Sequence, residues 1–399
     1  MDNGPWLTII GLGEDGPDGL TPASLAALQS AAIVMGPPRH LSLLPDLEAR
    51  TVRWPVPFAD GIELLLGFRG QRVVVLASGD PFWFGAGSVL ARALEPHEWC
   101  ALPGPSCFAL AASRLGWPLE TTACLGLHAA PLARLRPHLA AGTRLIVTLR
   151  DGASPLDLAT YLAERGFGDS DLHVMEALGG PREKITRTLA RAVDADTDFA
   201  HPLCVAIHVH GPGPALPLAS GRADDWFDHD GQITKRPVRA LTLSALAPRP
   251  GERLWDIGGG SGSVAIEWLL AHPSTAATSI ETNPERARRI FGNAARLGVD
   301  RLRVVTGRAP GALDGLARPD AVFVGGGLSE DLLDRLVQLA PSARLVANAV
   351  TLETEALLTN AQARLGGDML RISLARAAPI GPRRVWASSY PIVQWSVTL

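Results

Sequence analysis

The chain has 399 residues, 47% hydrophobic and 19% charged, a length for two domains, or three, and a composition that excludes a wholly disordered chain. A formal net charge of −3 excludes a broad basic face for a phosphate backbone. Only two of the 37 basic residues are lysines, Lys184 and Lys235; arginine suits planar carboxylate or phosphate recognition, although GC-rich coding accounts for most of this bias.

In chain order, residues 6–10 predict a short apolar strand running into the loop Gly11-Leu12-Gly13-Glu14-Asp15-Gly16. A helix follows, with Thr21 as N-cap, Pro22 at its first position and Leu25 and Leu28 opening its apolar face. Further strands are expected at 33–35, at 73–77 ending in Ser78-Gly79-Asp80-Pro81, at 145–149 and at 203–207. Strands alternating with helical stretches predict α/β layers. Residues 211–221 mix Pro, Gly and Ser, and an acidic stretch over 224–230 follows. Domains are therefore expected at 1–210 and 229–399, joined by a linker over 211–228.

The second half predicts a helix at 238–246, a strand at 253–257, a glycine loop at 258–262 and a helix at 264–270. Strands at 277–281, 302–305, 320–324 and 344–348 and a helix at 284–297 follow. The tail over 383–397 carries two alternating segments joined near Ser388 and Ser389, an expected antiparallel hairpin. Together these predict a doubly wound, Rossmann-like parallel sheet with an antiparallel edge.

Cys100, Cys107, Cys124 and Cys204 have no C-x-x-C pair or metal spacing, so neither a disulfide framework nor a metal is expected. The opening MDNGPW has no basic run, and no stretch reaches the ~18 apolar residues of a membrane span. A cytoplasmic protein without membrane or nucleic-acid partners is expected.

In Asp256-Ile257-Gly258-Gly259-Gly260-Ser261-Gly262, glycines follow a strand and open a helix, whose N-terminus favours negative charge. Glu281 ends the next strand, about 20 residues on, where an acid accepts hydrogen bonds from a ribose diol. Loop and acid together predict a nucleoside cofactor. This D-x-G-x-G-x-G form resembles class I S-adenosylmethionine-dependent methyltransferases. Gly11, Gly13 and Gly16 also spell G-x-G-x-x-G, but the helix starts only near Thr21 and Gly36-Pro37-Pro38 stands where a ribose acid belongs, which argues against a dinucleotide there.

Residues 6–21, Ala77-Ser78-Gly79-Asp80-Pro81-Phe82 with Gly85 and Gly87, and Pro103-Gly104-Pro105-Ser106 together resemble the tetrapyrrole methylase family. Residues 232–239, 254–263, 281–287 and 347–353 resemble the decarboxylating methylases that act on corrin-ring precursors. The resemblance covers nearly the whole chain. It implies a two-lobed first domain binding S-adenosylmethionine through Gly11, Gly13, Asp15, Gly79, Asp80 and Ser106. In the second domain it implies a second S-adenosylmethionine on Thr234, Gly258, Gly259, Gly260, Ser261, Gly262, Glu281 and Ala309. Pro237 and Arg308 stand where the family carries acids, so no acid role passes to them.

The resemblance implies methylation of a precorrin-6B type substrate at C5 by the first domain. The second would methylate C15 and remove the C12 acetate carboxylate, giving precorrin-8 in cobalamin biosynthesis. The substrate's carboxylates make Arg236, Arg239, Arg308, Arg383 and Arg384 candidate contacts. Gly325, Gly326 and Gly327, at a strand end beside the cofactor loop, would give a flat ring a floor without side chains. His128 and His173 are set aside as structural, and no catalytic acid or base is assigned. A homo-oligomer is expected from the family. Rival readings are the same reaction on a cobalt-containing precursor, an RNA or protein methyltransferase, and a nicotinamide-dependent oxidoreductase.

Overall fold

The apolar runs become the inner strands of three sheets. The computed structural model describes residues 4–194 and 196–399; residues 1–3, part of the opening segment read for a leader, lie outside them. The chain divides into two compact units, Met1–Leu132 with His138–Pro214, and Ala133–Pro137 with Ala215–Leu399.

The N-terminal unit holds two sheets. The first contains β1 (Leu7–Leu12), β2 (Ile33–Gly36), β3 (Arg50–Arg53), β4 (Val73–Ser78) and β5 (Trp99–Leu102), all parallel in the order β3-β2-β4-β1-β5. Leu7, Ile9, Val73 and Val75 fill the core on one face, and Ile10, Leu12, Val74 and Leu76 the core on the other. Parallel strands covered on both sides read as unbroken apolar runs, which is why β1 and β4 stand out in the sequence. The second sheet contains β6 (Thr122–Gly126), β7 (Arg144–Thr148), β8 (Asp171–Glu176), β9 (Lys184–Leu189) and β10 (Leu203–His208), ordered β6-β7-β10-β8-β9. Only β6 and β7 run parallel in it. The helix Pro22–Ser30 starts where its signals place it, Thr21 Oγ1 accepting from Ser24 N at 3.2 Å.

The C-terminal unit is built on β11 (Arg253–Ile257), β12 (Ala276–Glu281), β13 (Arg303–Thr306), β14 (Ala321–Val324) and β15 (Arg344–Ala349), all parallel, with β16 (Asp368–Ile372) added at one edge. A separate hairpin, β17 (Ala375–Ile380) with β18 (Arg383–Ser388), precedes β19 (Ile392–Thr398). The sheet order is β13-β12-β11-β14-β15-β19-β16, with β19 antiparallel to both its neighbours. Helices Arg236–Leu246, Ser263–Ala271 and Pro284–Arg296 cover one face, and Glu330–Leu339 and Leu352–Leu365 the other.

Two expectations are corrected. Residues 383–388 pair with 375–380, not with 392–398. Their alternation does not mark a core face: every residue of β18 is exposed, whereas Val393 and Trp395 of β19 are buried. The 211–228 stretch is not a free linker either. Gly213 N donates to Gly166 O at 2.9 Å in the first unit, while Leu216 and Phe227 are buried in the core of the second. Pro and Gly there shape a packed, irregular path.

Candidate functional site

In the N-terminal unit the C-terminal ends of β1 and β4 open onto a cavity of about 700 Å³. Gly13, Gly79, Asp80 and Ser106 line it. Gly11 sits behind the wall, where a Cβ would lie 1.7 Å from Gly79 O and 2.4 Å from Gly104 N; its glycine identity lets three backbones meet. Asp15, exposed, folds its carboxylate over the backbones of Gly13 and Gly19 and does not line the cavity. Asp80 Oδ1 accepts from Phe82 N at 2.8 Å, a turn contact that fixes the following aromatics. Ser106 Oγ accepts from Ala109 N at 3.2 Å and caps the helix Cys107–Leu115.

Sequence reasoning missed the polar cluster on the cavity wall. Buried Glu14 is paired with Arg39 and, at 2.9 Å, with Arg182. Arg39 Nη2 donates to Ser78 Oγ at 2.9 Å and contacts His40 Nε2 at 2.7 Å. Burial, followed by the Arg39 charge, pushes the His40 imidazole down to about 3, so it stays neutral and Nε2 accepts. The available signal was Arg39-His40 directly after Gly36-Pro37-Pro38 at the end of β2. His128 lines the cavity with its Nδ1 3.2 Å from Thr148 Oγ1, joined by Arg150 and His201. Phe108, Met175 and Leu178 supply an apolar wall, and Trp83 and Phe84 pack on Phe108 with centroids 5.7 Å away.

In the C-terminal unit Gly258, Gly260 and Gly262 have φ of 76°, 59° and 76°, which L side chains rarely adopt. This bend carries the chain from β11 into the helix Ser263–Ala271. A Cβ on Gly259 would strike Ser279 Oγ and one on Gly262 would strike Ile290, so both serve packing. Gly258 faces open space toward Gly326 O, and Gly325, Gly326 and Gly327 are exposed beyond β14, so the two predicted glycine runs meet at neighbouring strand ends. Ser261 is buried in the turn.

Glu281, 4% exposed, accepts from Gly260 N at 2.9 Å through Oε2 and from Asn283 N at 2.9 Å through Oε1, which fixes its carboxylate at the loop. Asp256 is buried beneath the loop, and desolvation, with Glu281 nearby, pushes its carboxyl up to about 7. Ala309 is half-buried against the apolar core, and Arg308 is exposed at the end of β13.

Arg239 is corrected as a substrate contact. Its side chain is fully buried, with Nε 2.7 Å from Glu267 Oε1, Nη1 on Asp224 Oδ1 at 3.1 Å and on Thr234 O, and Nη2 on Arg222 O. Every nitrogen is committed to holding Thr234 and the 221–224 segment. Glu267 also accepts from Gly221 N at 2.7 Å and Arg222 N at 3.0 Å. The signal for this acid was its place inside the apolar helix V-A-I-E-W, where a carboxylate requires partners. Arg236, Arg383 and Arg384 are exposed; Arg236 donates its amide to Asp224 Oδ1 at 3.1 Å.

The model of the Tetrapyrrole (Corrin/Porphyrin) Methylases matches residues 6–194, and that of the Precorrin methyltransferase domain matches residues 225–399. The chain is thus a methyltransferase of two fused modules. A relative from Sinorhizobium sp, named precorrin-6Y C(5,15)-methyltransferase (decarboxylating), is 51% identical over 99% of this chain and 96% of its own length. One of the same name from Mycobacterium tuberculosis is 40% identical over 98% of this chain and 99% of its own. A cobalt-precorrin-6B C(15)-methyltransferase (decarboxylating) from Salmonella typhimurium is 34% identical over 40% of this chain and 85% of its own. The chain belongs to the decarboxylating precorrin-6Y C(5,15)-methyltransferase family. No helix among the described residues is long and apolar enough to cross a membrane.

Proposed function

We propose that the chain methylates a metal-free, precorrin-6B type substrate at C5 and C15 and removes its C12 acetate carboxylate, giving precorrin-8 in cobalamin biosynthesis. The C5 transfer belongs to the N-terminal unit; the C15 transfer and decarboxylation belong to the C-terminal unit. The observation that carries this reading is that two relatives matched over almost their whole length share that name, with both family models present in this order.

Each unit is inferred to bind one S-adenosylmethionine, which when bound supplies an electrophilic methyl group. The residues fit it. In the C-terminal unit Gly258 leaves room without side chains, and the fixed carboxylate of Glu281 suits a ribose diol. In the N-terminal unit Gly13, Gly79, Asp80 and Ser106 face one cavity. Meso carbons of a reduced tetrapyrrole are enamine-like and already nucleophilic, so transfer needs positioning and desolvation more than a base. Met175, Leu178 and Phe108 exclude water, and Arg150 offers a cation to the substrate's carboxylates. Electrons left by decarboxylation enter the conjugated macrocycle.

Product mass spectrometry on the full chain tests the division of labour. Gly260→Val should still add one methyl, about 14 mass units for a single displacement, and release no carbon dioxide. Asp80→Ala should give the complementary pattern. Carbon dioxide release by the Gly260 variant with its second site shown empty would overturn the assignment. Preferential turnover of a cobalt-containing precursor supplied in parallel would replace the metal-free substrate.

A further inference from the structure

The sequence His208-Val209-His210 leaves the end of β10, and strand pairing sets His208 directly opposite Asp171 of β8. Residues two apart in an extended chain share a side, so His210 returns to the same place. His210 Nε2 lies 3.0 Å from His208 Nδ1 and 3.4 Å from Asp171 Oδ2, and the three donor atoms lie within 4.8 Å of one another. We propose that Asp171, His208 and His210 form a binding site for one divalent first-row transition ion, zinc being the best suited.

Ligand atoms about 2.0–2.2 Å from a zinc ion stand roughly 3.0–3.5 Å apart, which matches both distances from His210 Nε2, to His208 Nδ1 and to Asp171 Oδ2. The backbone holds this geometry. Ser170 Oγ donates to His210 O at 3.2 Å and accepts from His210 N at 3.0 Å, and Trp117 stands edge-on to the His208 ring at 6.4 Å. Without a metal the two imidazoles share one N–H between facing nitrogens; a metal uses both lone pairs. Arg144 pairs with His208 from β7, and Arg187 pairs with His173 from β9. One carboxylate beside these cations is a poor cage for magnesium or calcium, which need several oxygens, whereas two imidazoles and a carboxylate suit zinc.

The site is separate from the cavity. Cys204, at the cavity end of β10, is four residues away, about 14 Å along a strand. A bound ion would staple the exit of β10 to the edge-side strand β8. No sequence spacing announces it, because the third ligand lies far upstream and reaches the pair only through strand register.

Chelator-stripped full-length protein, titrated with zinc sulfate against a chromophoric competitor, tests the proposal. The parent should take up one equivalent with micromolar or tighter affinity, and zinc should raise its melting temperature. His208→Ala and His210→Ala should each weaken uptake at least about tenfold, since even outer-sphere partners cost that much, and should abolish the zinc-dependent rise. His210 lies beyond the strand, so its variant decides the matter if the His208 variant does not fold. Equal zinc uptake by the parent and the His210 variant, or no parent site tighter than millimolar, would overturn it.

Discussion

The two glycine loops share letters and differ in physics. Both lie at the end of an inner strand with parallel neighbours on each side, β1 and β11. At the end of β1 the glycine at 11 serves close approach of Gly79 and Gly104, and the chain then makes a short 3-10 turn before its helix begins at Pro22. After β11 alternate glycines take positive φ and the helix begins at Ser263, immediately after the loop. A G-x-G spacing therefore reports either backbone contact or backbone conformation, and only the second directs a helix N-terminus into the loop.

The largest test of this contrast removes the scaffold under one loop. Glu267→Ala leaves Arg222 buried without its acid and Arg239 with Asp224 alone, and should cost the C-terminal unit about 3–5 kcal/mol while sparing the other. Hydrogen exchange resolved by unit would measure it; equal loss in both units would break the comparison. By the same logic a fragment beginning at residue 229 should melt below one beginning at 215, having lost Leu216, Arg222 and Phe227.

Gly11→Ala comes next. Its Cβ meets two backbones, so the N-terminal unit should lose about 1–3 kcal/mol by overpacking. Gly258→Ala meets nothing closer than 3.7 Å but must hold a φ of 76°, so it should cost the C-terminal unit about 1–2 kcal/mol by backbone strain and, unlike Gly11→Ala, also weaken cofactor affinity at its own site. If both variants behave alike in calorimetry and melting, the distinction between the loops fails.

Glu281→Gln keeps shape and removes charge. It should weaken S-adenosylmethionine at the C-terminal site by about 1.5–3 kcal/mol, the worth of a charge-assisted hydrogen bond. Calorimetry should find the N-terminal site untouched.

A separate contrast is one of pH, with opposite signs in the two units. Unfolded His40 gains its proton near 6.5 and folded His40 only near about 3, so the N-terminal unit loses stability as pH falls through that window. Unfolded Asp256 loses its proton near 3.8 and folded Asp256 near about 7, so the C-terminal unit loses stability as pH rises through that window. His40→Gln and Asp256→Asn should each flatten the melting profile of its own unit; unchanged slopes would remove these groups from the account.

The sequence by itself determined the strands buried on both faces, the cap at Thr21, the α/β layering, the D-x-G-x-G-x-G turn with Glu281 behind it, and the order of the two modules. These depend on short apolar runs, on positions that only glycine tolerates and on side chains contacting their own neighbourhood. Strands β3 and β5 escaped because each has four residues and none fully buried, and β9 because Thr186, Arg187 and Thr188 break its apolar pattern. Tertiary structure alone decided that Arg239 is walled in by Glu267, that β19 inserts beside β15 while β18 folds back on β17, and that Glu14, Arg39, His40 and Ser78 meet on the wall of one cavity. Each of these contacts joins residues whose distance along the chain carries no periodicity, so only packing and strand register, set by the whole core, bring them together.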